Sequence, residues 1–239
     1  MLLNTNAIVL SKLKYRDNDL IVKCYTQQLG VVGFLLRGVL KNKKGQSKAA
    51  YFQLLTQLQL VIIYKQNRSL QIIKEVKLNQ LYTSLHSHVL KSAIAMFLAE
   101  VLANTLNEEE ENQTLFSYIE TALLWLDTQP EYSNFHLLFL LNLTKYLGFY
   151  PEETNTSYPY FNLLHGKFEN QQQGKYSISG ENLTLLKTLL GTTFDGLSTV
   201  KINAKQRQSF LSMILLYFEL HLGGFKTPKS LQIFNQVFR

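Results

Sequence analysis

Lys41-Asn42-Lys43-Lys44-Gly45-Gln46-Ser47-Lys48 sets four lysines within eight residues, with Arg37 four positions upstream. Fixed positive groups at that density neutralise phosphates, so the chemistry they point to is binding of a nucleic-acid backbone. A Lys-rich loop by itself often serves only solubility, but this one has company. Lys14, Arg16, Lys65 and Arg68 occupy other turns or strand ends of the same stretch of chain. Counting Lys and Arg against Asp and Glu, residues 1–80 carry 13 against 3 (+10), and residues 81–239 carry 11 against 14 (−3). The whole-chain charge of +7 therefore hides a basic unit that holds a polyanion and a mildly acidic remainder that meets proteins or supports it. Base stacking requires exposed aromatic rings. Tyr25 beside Lys23, and Tyr51 on the polar parity of its strand, are the candidates.

Other chemistries lack their residues. His86 and His88 are two apart, so on a helix they point in different directions and do not share a metal. His136, His165 and His221 have no ligand spacing around them, and no Gly-Lys-Ser or Gly-Lys-Thr phosphate loop, nucleophile elbow or helical zinc-histidine pair occurs. Cys24, the single cysteine, can make neither an internal disulfide nor a thiolate cluster, and its alternation with Leu20 and Val22 places it in a core. We expect no catalysis, no metal and no cofactor. The apolar stretches around Ala93 to Leu106 and Phe135 to Phe149 fall short of the ~20 residues of a membrane span. The first residues lack the pattern of a secretory signal, so the expected location is the cytoplasm, in association with the nucleoid.

The elements that carry the cations read as β. Ala7 to Leu13, Leu20 to Gln27, Val31 to Leu40, Phe52 to Tyr64 and Leu70 to Val76 are five expected strands, separated by Asp-, Asn- and Gly-bearing turns. In the fourth, Leu58, Leu60 and Ile62 share one parity while Gln57 and Gln59 share the other. Five short antiparallel strands, with the basic loop between the third and fourth, fit an oligonucleotide-binding (OB) barrel over residues 1–80. Residues 81–239 then read as an all-α domain, with helices from about Val89 and over Gln113–Asp127, Asn134–Leu147, Glu181–Leu190, Ala204–Leu222 and Lys229–Phe238. Glu108 to Glu111 form an acidic turn between helices, and residues 152–179 an irregular excursion. The fold class is α+β, multidomain.

Ala7-Ile8-Val9-Leu10, Tyr15 through Asp19-Leu20-Ile21-Val22, Tyr25-Thr26, Gly30, Arg37-Gly38-Val39 and Lys41 together resemble the N-terminal pattern of the RecO family of bacterial recombination mediators. Phe139 to Pro151, ending Leu147-Gly148-Phe149-Tyr150-Pro151, is similar to that family's Leu-Gly-aromatic-x-Pro helix end, and Leu215 to Leu222 followed by Lys229-Ser230-Leu231 is a third match. The resemblance implies an OB domain followed by helices and a non-catalytic mediator of DNA repair after DNA damage. Such a mediator binds single- and double-stranded DNA, anneals complementary strands, and with RecR helps RecA replace the single-stranded-DNA-binding protein, SSB. Lys14, Arg16, Arg37, Lys41, Lys43, Lys44, Lys48, Lys65 and Arg68 would hold DNA. Some family members carry a four-cysteine zinc site after that helix end. Here 155–166 holds Tyr158, Tyr160, Phe161 and His165 and no cysteine, so an aromatic cluster is expected to close the excursion.

The resemblance also implies contact with the acidic, apolar-ended C-terminal tail of SSB. Lys205, Arg207, Lys226 and Lys229, the scarce cations beside apolar helices, are the candidates for it. Two other readings stay open: an RNA-binding OB protein, because a basic barrel does not distinguish the sugar, and a protein–protein adaptor whose basic face meets an acidic partner.

Overall fold

The structure, a computed structural model, describes residues 1–41, 43–106 and 111–238, with the backbone alone at 44, 46 and 47. Glu108 to Glu110 and the Lys44 side chain thus lie outside the described residues. Contacts divide the chain into two units: residues 1–128 with 228–230, and residues 129–227 with 231–239.

In the first unit, β1 (Leu2–Tyr15), β2 (Asp19–Thr26), β3 (Gly30–Leu36), β4 (Gln57–Ile63) and β5 (Ile72–Leu78) form an antiparallel sheet in the order β3-β2-β1-β4-β5. Alternation builds its inside: Leu58, Leu60 and Ile62 of β4 are fully buried while Gln59 is exposed. Val22, Cys24, Phe34 and Phe52 share that core, and burial pushes the Cys24 thiol far up from its ordinary value. The sheet closes on itself where β3 meets the approach to β5 in parallel. Leu35 N donates to Gln71 O at 3.1 Å, and Gln71 N donates to Gly33 O at 2.8 Å. This is the expected OB-fold barrel, with the helical part following it.

Two boundaries and one element depart from expectation for identifiable reasons. β3 stops at Leu36 because Gly38 turns the chain with φ 65°, and β4 starts only at Gln57 because Leu55 sits at φ 60° in a turn. The Lys-rich segment is a short helix rather than a loop, α1 (Lys43–Ala49). A Cβ on Gly45 would lie 2.7 Å from Val39 O, so glycine there lets α1 pack directly onto the chain leaving β3.

Also in the first unit, α2 (Val89–Thr105) and α3 (Gln113–Thr128) follow the barrel. The Asp127 carboxylate accepts backbone N–H from Thr83, Ser84 and Leu85 at 2.9, 2.7 and 2.7 Å. Lys91 Nζ donates to Asp127 O and to Ser84 Oγ, both at 2.8 Å. Burial works to raise the Asp127 carboxyl, but these hydrogen bonds outweigh it and hold the group below its ordinary value.

The second unit contains α4 (Phe135–Tyr146), α5 (Gly180–Leu190), α6 (Ala204–His221) and α7 (Leu231–Val237). Asn203 and Gln206 form a reciprocal capping box at the start of α6. His136 of α4 is fully buried, edge-on to Phe234 at 4.8 Å, and neither ring nitrogen has a hydrogen-bond partner among the described residues. Burial, with the Arg207 charge nearby, pushes it down to about 3.

The 152–179 excursion is more regular than expected. β6 (Tyr160–Asn162), β7 (Lys167–Glu169) and β8 (Ser177–Ile178) make a small antiparallel sheet. Phe161 meets Phe168 at 5.0 Å and Tyr217 at 6.1 Å, and Phe149 meets Tyr217 at 5.5 Å and His221 at 5.1 Å. Tyr217 OH donates to Phe149 O at 2.8 Å. Gly166 leaves room for that hydroxyl, since a Cβ there would lie 2.7 Å from it. The aromatic cluster therefore exists, but of the four residues expected to form it only Phe161 is fully buried. His165 is exposed, and Tyr158 contributes its carbonyl to Lys187 Nζ at 2.8 Å.

Candidate nucleic-acid interface

Two polar side chains hold the basic loops of the barrel in place. Gln71, buried ahead of β5, accepts from Lys65 N at 2.8 Å and donates to Lys65 O at 2.9 Å and Arg68 O at 2.6 Å, which fixes the β4–β5 turn carrying both cations. Asp19 accepts from Gly38 N at 2.8 Å while Leu40 N donates to Asn18 O at 3.0 Å, which ties the segment from Arg37 to Lys41 to the β1–β2 turn. That turn itself bends at Arg16, whose φ is 54° and whose guanidinium lies over the Tyr15 ring at 5.2 Å.

Lys14, Arg16, Arg37, Lys41, Lys43, Lys65 and Arg68 are all exposed, and Lys48 is half-buried in the last turn of α1. Arg37, Lys48 and Arg68 come together around one groove of about 640 Å³, floored by Leu35, Leu70 and Ile72. Lys12, Lys23, Lys74 and Lys77 are further exposed cations of the barrel strands. Lys23 and Lys77 lie on the outward parity of their strands, a signal present in the sequence, whereas Lys12 opposes the core residue Val22 and Lys74 sits at the register shift of β5.

The two stacking candidates fare differently. Tyr25 is only 2% exposed; its ring packs on Phe116 of α3 at 5.7 Å and its hydroxyl donates to Asn112 O at 3.1 Å. Its ring is spent inside the first unit, so the assignment to base stacking is corrected. Tyr51 is half-buried and packs against the barrel core, which leaves only part of its ring accessible.

The family model described as Recombination protein O N terminal matches residues 1–82, and that described as Recombination protein O C terminal matches residues 86–231. The chain belongs to the RecO family. Proteins named DNA repair protein RecO from Christiangramia forsetii and Flavobacterium psychrophilum are 50% and 40% identical to it over 238 residues, covering the whole of each chain. The RecO of Bacteroides fragilis is 36% identical over 242 residues, again across both chains in full. This membership makes the chain one of a family of DNA repair proteins.

The RecO residues considered for an acidic tail are distributed over both units. Lys205 is exposed on the first turn of α6, while Arg207 is half-buried, its Nε donating to Asn134 Oδ1 at 3.1 Å. Arg207 lines a cavity of about 600 Å³ with Asn134, Val200, Lys201 and Ile202. Lys201, not singled out from the sequence, also borders a second cavity of about 500 Å³ beside Leu185 and Thr188 of α5. Lys226 is exposed in the second unit. Lys229 is grouped with the first, where its backbone N–H donates to the Glu100 carboxylate at 2.7 Å.

Proposed function

We propose that this RecO-family protein binds single- and double-stranded DNA through the cations of its barrel, anneals complementary strands, and with RecR helps load RecA onto SSB-coated single strands. The observation that carries the reading is the net +10 on residues 1–80, with seven of the nine candidate cations exposed at the barrel's turns and strand ends and on α1. Neutralising phosphates on two strands lowers their mutual repulsion, which is what annealing needs, and this requires no catalytic group. Base stacking contributes little, because Tyr25 is buried and Tyr51 half-buried. Recognition then rests on phosphates and is tolerant of sequence. In this reading the SSB tail sets carboxylates on Arg207 and Lys201 and its apolar end beside Val200 and Ile202.

The experiment is annealing of two complementary strands already coated with SSB of the same organism, with and without the protein. Acceleration supports the mediator reading. Binding to bare DNA without acceleration restricts the function to nucleic-acid binding.

A further inference from the structure

The outside of the barrel carries an aliphatic belt that phosphate binding does not use. Leu2 on β1 opposes Ile63 on β4, and Ile63 opposes Ile72 on β5. Across the closing seam, Leu35 on β3 opposes Ile21 on β2, which opposes Leu13 near the far end of β1. Opposed residues in an antiparallel pair project on the same face. The alternating positions Val22, Phe34 and Ile62 fill the core, so these six point outward. Leu2 is 59%, Ile72 43% and Leu13 66% exposed, and the other three are half-buried. The two halves of the belt meet where Leu35 and Ile72 line the groove rimmed by Arg37, Lys48 and Arg68.

A contiguous apolar strip crossing all five strands is unusual on an uncovered surface. Nucleic acid gains little from it, since bases are held by ring stacking and edge hydrogen bonds, and Leu and Ile supply neither. An apolar floor inside a charged rim is the anatomy of a protein contact. All three rim charges are positive, so the complementary partner is acidic. We infer that this groove docks an acidic protein segment, which lays aliphatic side chains on Leu35, Leu70 and Ile72 and sets its carboxylates against Arg37, Lys48 and Arg68. The inference stands on the barrel surface alone and holds whether or not the barrel binds DNA; Arg37, Lys48 and Arg68 are shared between the two surfaces, and the aliphatic floor belongs to the groove alone.

The test uses the full chain and three fluorescein-labelled ten-residue peptides read by anisotropy. One alternates Asp and Glu around two leucines, one replaces those leucines by serine, and one keeps them but replaces the acids by Asn and Gln. The first peptide is expected to bind at least tenfold more tightly than either control. Ile72→Gln, at a position already 43% exposed, should weaken it about tenfold while leaving a labelled single-stranded DNA within twofold of the parent. Arg68→Ala, at an exposed loop position, provides a second variant that should weaken the same peptide. The inference is overturned if none of the peptides binds, if the leucines make no difference, or if neither Ile72→Gln nor Arg68→Ala weakens the first peptide, which would place it at another site such as the Arg207 cavity. It is likewise overturned if Ile72→Gln weakens DNA as much as peptide, which assigns the floor to nucleic acid. Sedimentation showing self-association that Ile72→Gln abolishes would overturn it too, making the belt a contact between copies.

Discussion

Replacing Lys41, Lys43, Lys44 and Lys48 by Ala removes the charge carried by α1 and its approach while sparing the fold, because Ala is at least as good a helix former as Lys. The size of the effect follows from counterion release. If about six barrel cations touch a single strand, log affinity falls with log salt at a slope near −4, at roughly −0.7 per neutralised phosphate. Between 50 and 200 mM salt, that slope costs the parent about 300-fold in affinity. With four of the six contacts gone the slope is near −1.4, and the same change of salt costs only about 7-fold. Titrating a labelled oligothymidine at four salt concentrations measures both slopes. A variant slope within about 0.5 of the parent's would refute the assignment, whatever happened to affinity at any single salt concentration.

Asp127→Ala leaves the buried Leu85 N–H without its acceptor and should cost the first unit about 2–4 kcal/mol in urea unfolding. Because the folded carboxyl lies below its ordinary 3.8, its contribution is complete above that pH and lost as pH falls through the lower folded value. Acid unfolding of the parent should therefore show a loss below about pH 4 that the variant lacks. His136 works over a higher window: its folded value of about 3 lies below the ordinary 6.5, so the unfolded chain takes up the proton first. Stability then falls as pH drops from 6.5 towards 3, by up to about 1.4 kcal/mol per pH unit. His136→Phe should flatten urea midpoints between pH 6 and 4, and equal slopes in parent and variant would contradict this account.

Much of the architecture could be read directly from residue order. The β4 alternation arises from burial of one face, and periodicity records that burial, whereas α2 is buried around most of its circumference and shows in the sequence as a long apolar segment. What escaped depended on contacts distant in sequence. Leu55 in a left-handed turn has no compositional signature, so β4 was expected to begin earlier. α1 has no apolar period, and it is the fit of Gly45 on Val39 that places it. Tyr25 lies on the outward parity of β2, and only the packing of α3 shows that its ring is unavailable. The individual cations were legible, but the grouping of Arg37, Lys48 and Arg68 requires the seam at Gln71 to close first.

The rings gathered around Tyr217 bear on how this segment tolerates change. A metal site of four ligands fails as a whole when one ligand is lost, because binding and folding are a single event. An aromatic cluster is held by a sum of contacts, each worth about 0.5–1.5 kcal/mol beyond its buried area, and so degrades in steps. Phe161, Phe168, Phe149 and His221 can each be trimmed at partial cost while the others keep the small sheet in place. The exposed turn at 170–175 can therefore drift in sequence and length without putting β6–β8 at risk. The narrow point is Gly166, where any side chain meets the Tyr217 hydroxyl on a backbone at φ 66°.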